Sequence, residues 1–136
     1  MAKMNPRIKE MFEKQETIVL ATATKGGVPN VVPVNAKKII DDDIILISDQ
    51  YFDKTLNNLK NNPRAAITIW DKFEGYQIKG AITIETSGKR FEETVQWIKE
   101  KGEALKFPLR SKGAVIFKIT DIHIVSPGPD AGKKVC

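Results

Sequence analysis

Apolar and polar positions along the chain change period several times, and each change marks an element. In "NPRIKEMFEKQ" (5–15) Ile8, Met11 and Phe12 recur at helical spacing. Asn5 can cap and Pro6 suits a first helical position, which predicts a short amphipathic helix. "TIVLATA" (17–23) is β-branched and apolar, and the glycines of "TKGGVPN" supply a turn, so a hairpin should lead into a second strand, "VVPVNAKKII" (31–40). The triple acid Asp41-Asp42-Asp43 marks another turn and "IILIS" (44–48) a third strand. A short helix opens at Lys54 and Thr55, turns Leu56 and Leu59 inward and stops at Pro63.

Beyond it, "RAAITIW" and "YQIKGAITIETS" read as strands joined by "DKFEG". "KRFEETVQWIKEKGEAL" (89–105) places Phe91, Val95 and Ile98 at helical spacing, with charges on the other face. In the last strand, "GAVIFKITDIHIVS" (113–126), alternation sets Val115, Phe117 and Ile119 on one side, and "PGPDAGKKVC" follows as a loop-like tail. Strands joined by short turns, without repeated strand-helix-strand units, predict an antiparallel sheet. Six strands with this apolar content favour a barrel carrying two or three peripheral helices, a mainly β or α+β class.

The 136 residues suit one domain, 1–136, able to bury its own core. Cys136 is the only cysteine, has no internal partner and reads as an inert tail thiol, which fits a reducing cytoplasm. No apolar run reaches the roughly 20 residues a bilayer span needs, and "MAKMNPRIKEMFEKQ" has no apolar signal core, so a soluble, cytoplasmic protein without a membrane partner is expected. The net charge is +5, but lysines and arginines are interleaved with acids and form no basic stripe. Nucleic acid is therefore not expected as a partner.

Candidate chemistry is sparse. His123, the only histidine, sits in the final strand without an acidic or cysteine partner at ligand spacing and reads as a strand residue. There is no Cys/His metal cluster, nucleophile elbow, dinucleotide fingerprint or P-loop. Any reaction would need a cofactor to carry it, and no catalytic residue is assigned. Pro33 sits mid-strand, where it cannot donate to a ladder, so its backbone lies at an edge, a bulge or beside a ligand. Ser48, Asp49 and Gln50 end the third strand with groups that suit either a turn or a polyol. Tyr51, Trp70 and Tyr76 flank the same segments and suit a core or a planar ring. Lys54 is a cation in a first helical turn, where the helix dipole favours anions. It is either a solvated side chain or, with Thr55 and the free amides, an anion ligand.

"ILISDQYFDKTLNNLKNNPRAAITIW", preceded by "VPNVVPVNAKKI" and followed by "GYQIKGAITIE", resembles the split-barrel flavoproteins related to pyridoxamine 5′-phosphate oxidase, and most of all the small FMN-binding proteins. The resemblance spans roughly residues 7–126 and implies a six-stranded antiparallel split barrel that binds FMN as a homodimer, with flavin at the interface. It implies that Lys54 and Thr55 hold the FMN phosphate, that the backbone of Pro33, Val34 and Asn35 follows the isoalloxazine edge, and that Ser48, Asp49 and Gln50 lie near the ribityl chain. Gln77 is a weaker candidate contact. The oxidase's C-terminal tryptophan and arginines have no counterpart in "HIVSPGPDAGKKVC", so oxidation of pyridoxamine 5′-phosphate is not expected. The expectation is an FMN-dependent redox protein with unknown donor and acceptor. The alternatives are a deazaflavin F420 reductase on the same fold and a non-enzymatic flavin-binding module.

Overall fold

The computed structural model describes residues 2–135, so Cys136 lies outside the described residues. Three helices and seven strands follow in the order α1 (Pro6–Lys14), β1 (Ile18–Ala23), β2 (Pro29–Val34), β3 (Lys37–Asp41), β4 (Ile44–Asp49), α2 (Lys54–Asn61), β5 (Arg64–Asp71), β6 (Glu74–Glu85), α3 (Lys89–Leu105) and β7 (Gly113–Ile124). All pairings are antiparallel, in one curled sheet of order β2-β1-β5-β6-β7-β4-β3. This is the split-barrel fold expected from the sequence.

The seventh strand arises because "VVPVNAKKII" is not one strand. It breaks at Asn35–Ala36, where the chain leaves β2, paired only with β1, and enters β3, paired only with β4. The two sheet edges are thus consecutive in sequence. Their junction is held by main-chain bonds: the Lys37 amide donates to the Asn35 carbonyl and the Ser48 amide to the Ala36 carbonyl, each at 3.0 Å.

The core fills the concave side of the sheet. Ile18 and Leu20 of β1, Ile67 and Ile69 of β5, Ile78 of β6 and Phe117 of β7 are fully buried there, as alternation predicts. Helix α1 closes one end with Ile8, Met11 and Phe12, and the Asn5 side chain caps it by accepting from the Ile8 amide at 2.9 Å. At its other end Lys37 Nζ donates to the Phe12 carbonyl at 2.8 Å, where the helix dipole favours a cation, and burial lowers the pKa of that ammonium. Ala114 and Ile116 of β7 face the opposite way and pack with Leu46 and Trp97, so β7 is covered on both sides. Helix α3 turns Thr94, Ile98 and Gly102 inward, while Phe91 and Val95 are only half-buried at its flank. The tail after β7 is more ordered than its composition suggests. It folds back so that the Val135 amide donates to the Ile122 carbonyl at 2.8 Å and the Val135 side chain reaches the core.

Gly80, at a register shift in β6, lies against the Phe117 ring; a Cβ there would fall 2.4 Å from Phe117 Cε1 and 2.7 Å from the Lys118 carbonyl. Gly80→Ala should therefore cost about 1–3 kcal/mol, the scale of overpacking, seen as a lower urea midpoint. At the β3–β4 turn, Lys118 bonds to the Asp43 carboxylate and holds its pKa below the ordinary carboxylate range. A folded-state pKa depressed in this way contributes stability above the unfolded value, about 4, that is lost as pH falls through the folded one. Asp43→Asn should flatten the dependence of unfolding free energy on pH below about 4, measured by denaturant titration at a series of pH values.

Candidate functional site

The junction of the two edges opens into a cavity of about 530 Å³. Its lining brings together six of the residues singled out from the sequence: Pro33, Val34 and Asn35 at the end of β2, and Ser48, Gln50 and Tyr51 at and just after the end of β4. Pro33 sits on an edge strand, opposite Val19, so its missing N–H costs no ladder bond on the open side. Thr17, unnoticed in the sequence, also lines the cavity, and its Oγ1 donates to Asn35 Oδ1 at 2.6 Å. The register that pairs Ile18 with Val34 carries Thr17 to this place, and strand pairing is not visible in one sequence.

Ser48 ties the end of β4 to the loop after α3. Ser48 Oγ donates to Ser111 Oγ at 2.7 Å, and Ser111 donates onward to the Gly113 carbonyl at 3.1 Å. Asp49 is not among the residues that line the cavity. Asp49 Oδ1 accepts the Phe52 amide at 2.9 Å and lies 3.6 Å from Lys112 Nζ, which itself donates to the Phe52 carbonyl at 3.0 Å. Asp49 is thereby the brace of the 49–52 turn. Gln50 differs, because its buried Oε1 has no hydrogen-bond partner among the described residues. An unpaired buried amide oxygen costs roughly 1–3 kcal/mol, so this atom is set for a donor that the chain itself does not provide.

Helix α2 begins immediately beyond, outside the cavity lining. Its preceding residue, Asp53, makes no side-chain cap, and no acidic residue occupies the first turn. Lys54 is exposed there without an ion pair among the described residues. Thr55 is buried and its Oγ1 accepts from Asn30 Nδ2 at 3.0 Å; the same amide reaches Thr22 Oγ1 at 3.1 Å, which also receives Asn58 Nδ2 at 3.0 Å. This polar cluster fixes the first turn of α2 to the β1–β2 hairpin.

Gln77 is not in the cavity. Register places it on the convex sheet face, in one row with Pro33, Val19 and Thr68, three strands from Pro33. Of the aromatics, Tyr51 lines the cavity and is 74% exposed, Trp70 stands on the far hairpin, and Tyr76 packs against the core with its hydroxyl donating to Glu74 at 2.8 Å. His123 does have an acidic neighbour, Asp121, whose Oδ2 is 3.3 Å from Nδ1 at the same-face i, i−2 strand spacing. No group of three or more metal-ligating side chains occurs among the described residues.

With this geometry in place, comparison with known proteins defines the family. The family model for pyridoxamine 5′-phosphate oxidase matches residues 4–125, and the chain belongs to that family. An uncharacterized protein of Methanocaldococcus jannaschii, MJ0282, is 41% identical over 125 residues, covering 90% of this chain and 81% of that one. Among solved structures, HupZ of Group A Streptococcus superposes with a TM-score of 0.79 at 22% identity over 95% of this chain and 99% of that one. An FMN-binding protein of Syntrophomonas wolfei gives a TM-score of 0.70 at 22% identity over 85% and 81%. The last two show the shared fold. No helix among the described residues is long and apolar enough to cross a membrane.

The polar cluster behind α2 yields a stability prediction. Thr22→Val removes the acceptor of Asn58 and one of the two acceptors of Asn30, and should destabilise the fold by about 1–3 kcal/mol, measured by urea unfolding.

Proposed function

We propose that the protein is a cytoplasmic FMN-binding redox flavoprotein, a homodimer with flavin at the subunit interface. The observation that carries this reading is the buried, unpartnered Oε1 of Gln50, a residue of the strand-junction cavity lining, close in sequence to an unpaired lysine at a helix start. A cavity of about 530 Å³ lies within the range of cofactor sites. Its lining offers what a flavin ring and ribityl chain require: apolar Val32, Pro33 and Val34 beside the hydroxyl of Ser48 and the amides of Asn35 and Gln50.

FMN, when bound, supplies the redox chemistry, accepting a hydride or passing electrons. The chain's part is to bind and orient. Lys54 and the first-turn amides of α2 attract the phosphate, where the cation and the helix dipole add. Thr55, held by Asn30, keeps that turn fixed to the hairpin. Asp49 and Lys112 set the path of the 49–52 turn and with it the position of Gln50.

The convex face supports the dimer reading. Ala21, Ala66 and Ala81 floor a depression of about 650 Å³ rimmed by Arg64, Lys79 and Asp121. Val31 is 62% exposed on the same face, and close approach of two such small-residue surfaces would bring Gln77 to the interface.

The purified protein should show two visible flavin bands that survive buffer exchange at about one FMN per chain. A colourless protein that retains no added FMN would end this reading, and F420 would be tried next. Lys54→Ala should weaken FMN binding by about 1.5–3 kcal/mol, the scale of a hydrogen bond to a charged group, in a flavin-fluorescence titration. Light scattering should give a dimer.

A further inference from the structure

Away from the strand junction, the C-terminal end of α3 carries a groove that the fold does not use. The helix ends in a Schellman-type turn: Lys106 is left-handed at φ 55°, its amide donates to the Glu103 carbonyl at 3.2 Å, and the Phe107 amide donates to the Gly102 carbonyl at 2.9 Å. An apolar contact normally accompanies such a turn. Here the apolar side chains stay in solvent, with Leu105 68% and Phe107 57% exposed.

The chain after the turn passes unusually close to the helix. A Cβ at Gly102 would fall 2.6 Å from the Phe107 carbonyl and 2.8 Å from the Leu109 amide. Glycine near a helix end costs roughly 0.5–1 kcal/mol relative to alanine, so the tight approach is bought at some expense to the helix. Beside it lies a groove of about 580 Å³, with Val95, Phe107, Pro108 and Leu109 forming its apolar wall.

The charges of the groove are one-sided. Lys99, Lys106 and Arg110 line it, and none of the three has an ion pair among the described residues. Glu103 is the sole acid in the lining. A neutral apolar ligand would leave the cations unanswered, and a purely polar anion would leave the apolar wall wet. A bilayer surface would meet Leu105 and Phe107 but would not enter a concavity between one helical face and one loop.

We propose that this groove binds a monomeric amphipathic anion, an apolar chain of about a dozen carbons ending in a carboxylate, with the chain along Val95 and Leu109 and the carboxylate at Lys99 and Arg110. Arg110 offers a planar fork that matches a carboxylate, and Lys99 adds a mobile point charge. The site is separate from the strand-junction cavity, and its occupation does not depend on flavin.

Isothermal titration of the full chain with dodecanoate below its micelle concentration, run with and without saturating FMN, tests it. The expected result is saturable binding near one per chain in both conditions, weakened about tenfold or more in K99E/R110E. Dodecyl maltoside, the neutral control, should show no difference between the parent and the variant. K99A/R110A, which keeps the surface free of new carboxylates, should weaken dodecanoate in the same direction. Absence of saturable dodecanoate binding to the parent, or unchanged affinity in both double variants, would overturn the proposal. So would binding to vesicles of anionic phospholipid without binding to monomeric dodecanoate.

Discussion

Everything about this molecule turns on a two-residue corner. Asn35 and Ala36 carry the chain from one edge of a seven-stranded sheet to the other, so the first and last strands of the curled sheet are neighbours in sequence. Sheet curvature comes from strand twist, and an antiparallel sheet of this width either closes by ladder bonds or leaves a seam. Here Pro33, on the edge strand just before the corner, has no N–H to offer a closing ladder. The Ser48 amide on the Ala36 carbonyl continues the β3–β4 ladder into the corner, and the cavity opens beside it.

The polar groups around the seam divide into those the fold consumes and those it leaves over. Asp49 is spent on its turn and on Lys112, Thr55 on Asn30, and Ser48 on Ser111. Gln50 Oε1 and Lys54 remain. Buried polar atoms without partners are rare in folded proteins, and a lysine against a helix dipole gains nothing from its position unless an anion arrives. The leftovers are one amide acceptor beside a cavity and one cation at a helix start. Together they suit a ligand that carries a hydrogen-bond donor and an anionic group, as the proposed flavin mononucleotide does.

Much of this was legible in the sequence. The apolar, β-branched runs "TIVLATA" and "IILIS", the glycine turn, the helix start at Pro6 and the stop at Pro63 gave the helices and most strands at nearly their observed bounds. The break inside "VVPVNAKKII" was not, because both halves carry β-branched strand formers and what separates them is the partner strand of each. Asparagine followed by alanine is a weak turn signal. For the same reason Thr17 and Ser111 escaped notice: Thr17 reaches the cavity through strand pairing, and Ser111 reaches Ser48 behind it through loop closure, not through local pattern. Asp49 and Thr55 were singled out by residue type, and the structure shows their polar atoms bracing the site. Gln77 was placed by resemblance, and the register sets it on the convex face.

The strand junction, and not the convex face alone or the α3 groove, is the place proposed for the cofactor. Amide chemical-shift mapping by NMR on FMN addition tests it most directly. Large shifts at the amides of 34–36, 48–52 and 54–56, on both sides of the seam, are predicted. Shifts confined to α3 and residues 105–110, or absent from both sides of the corner while FMN binds, would contradict it.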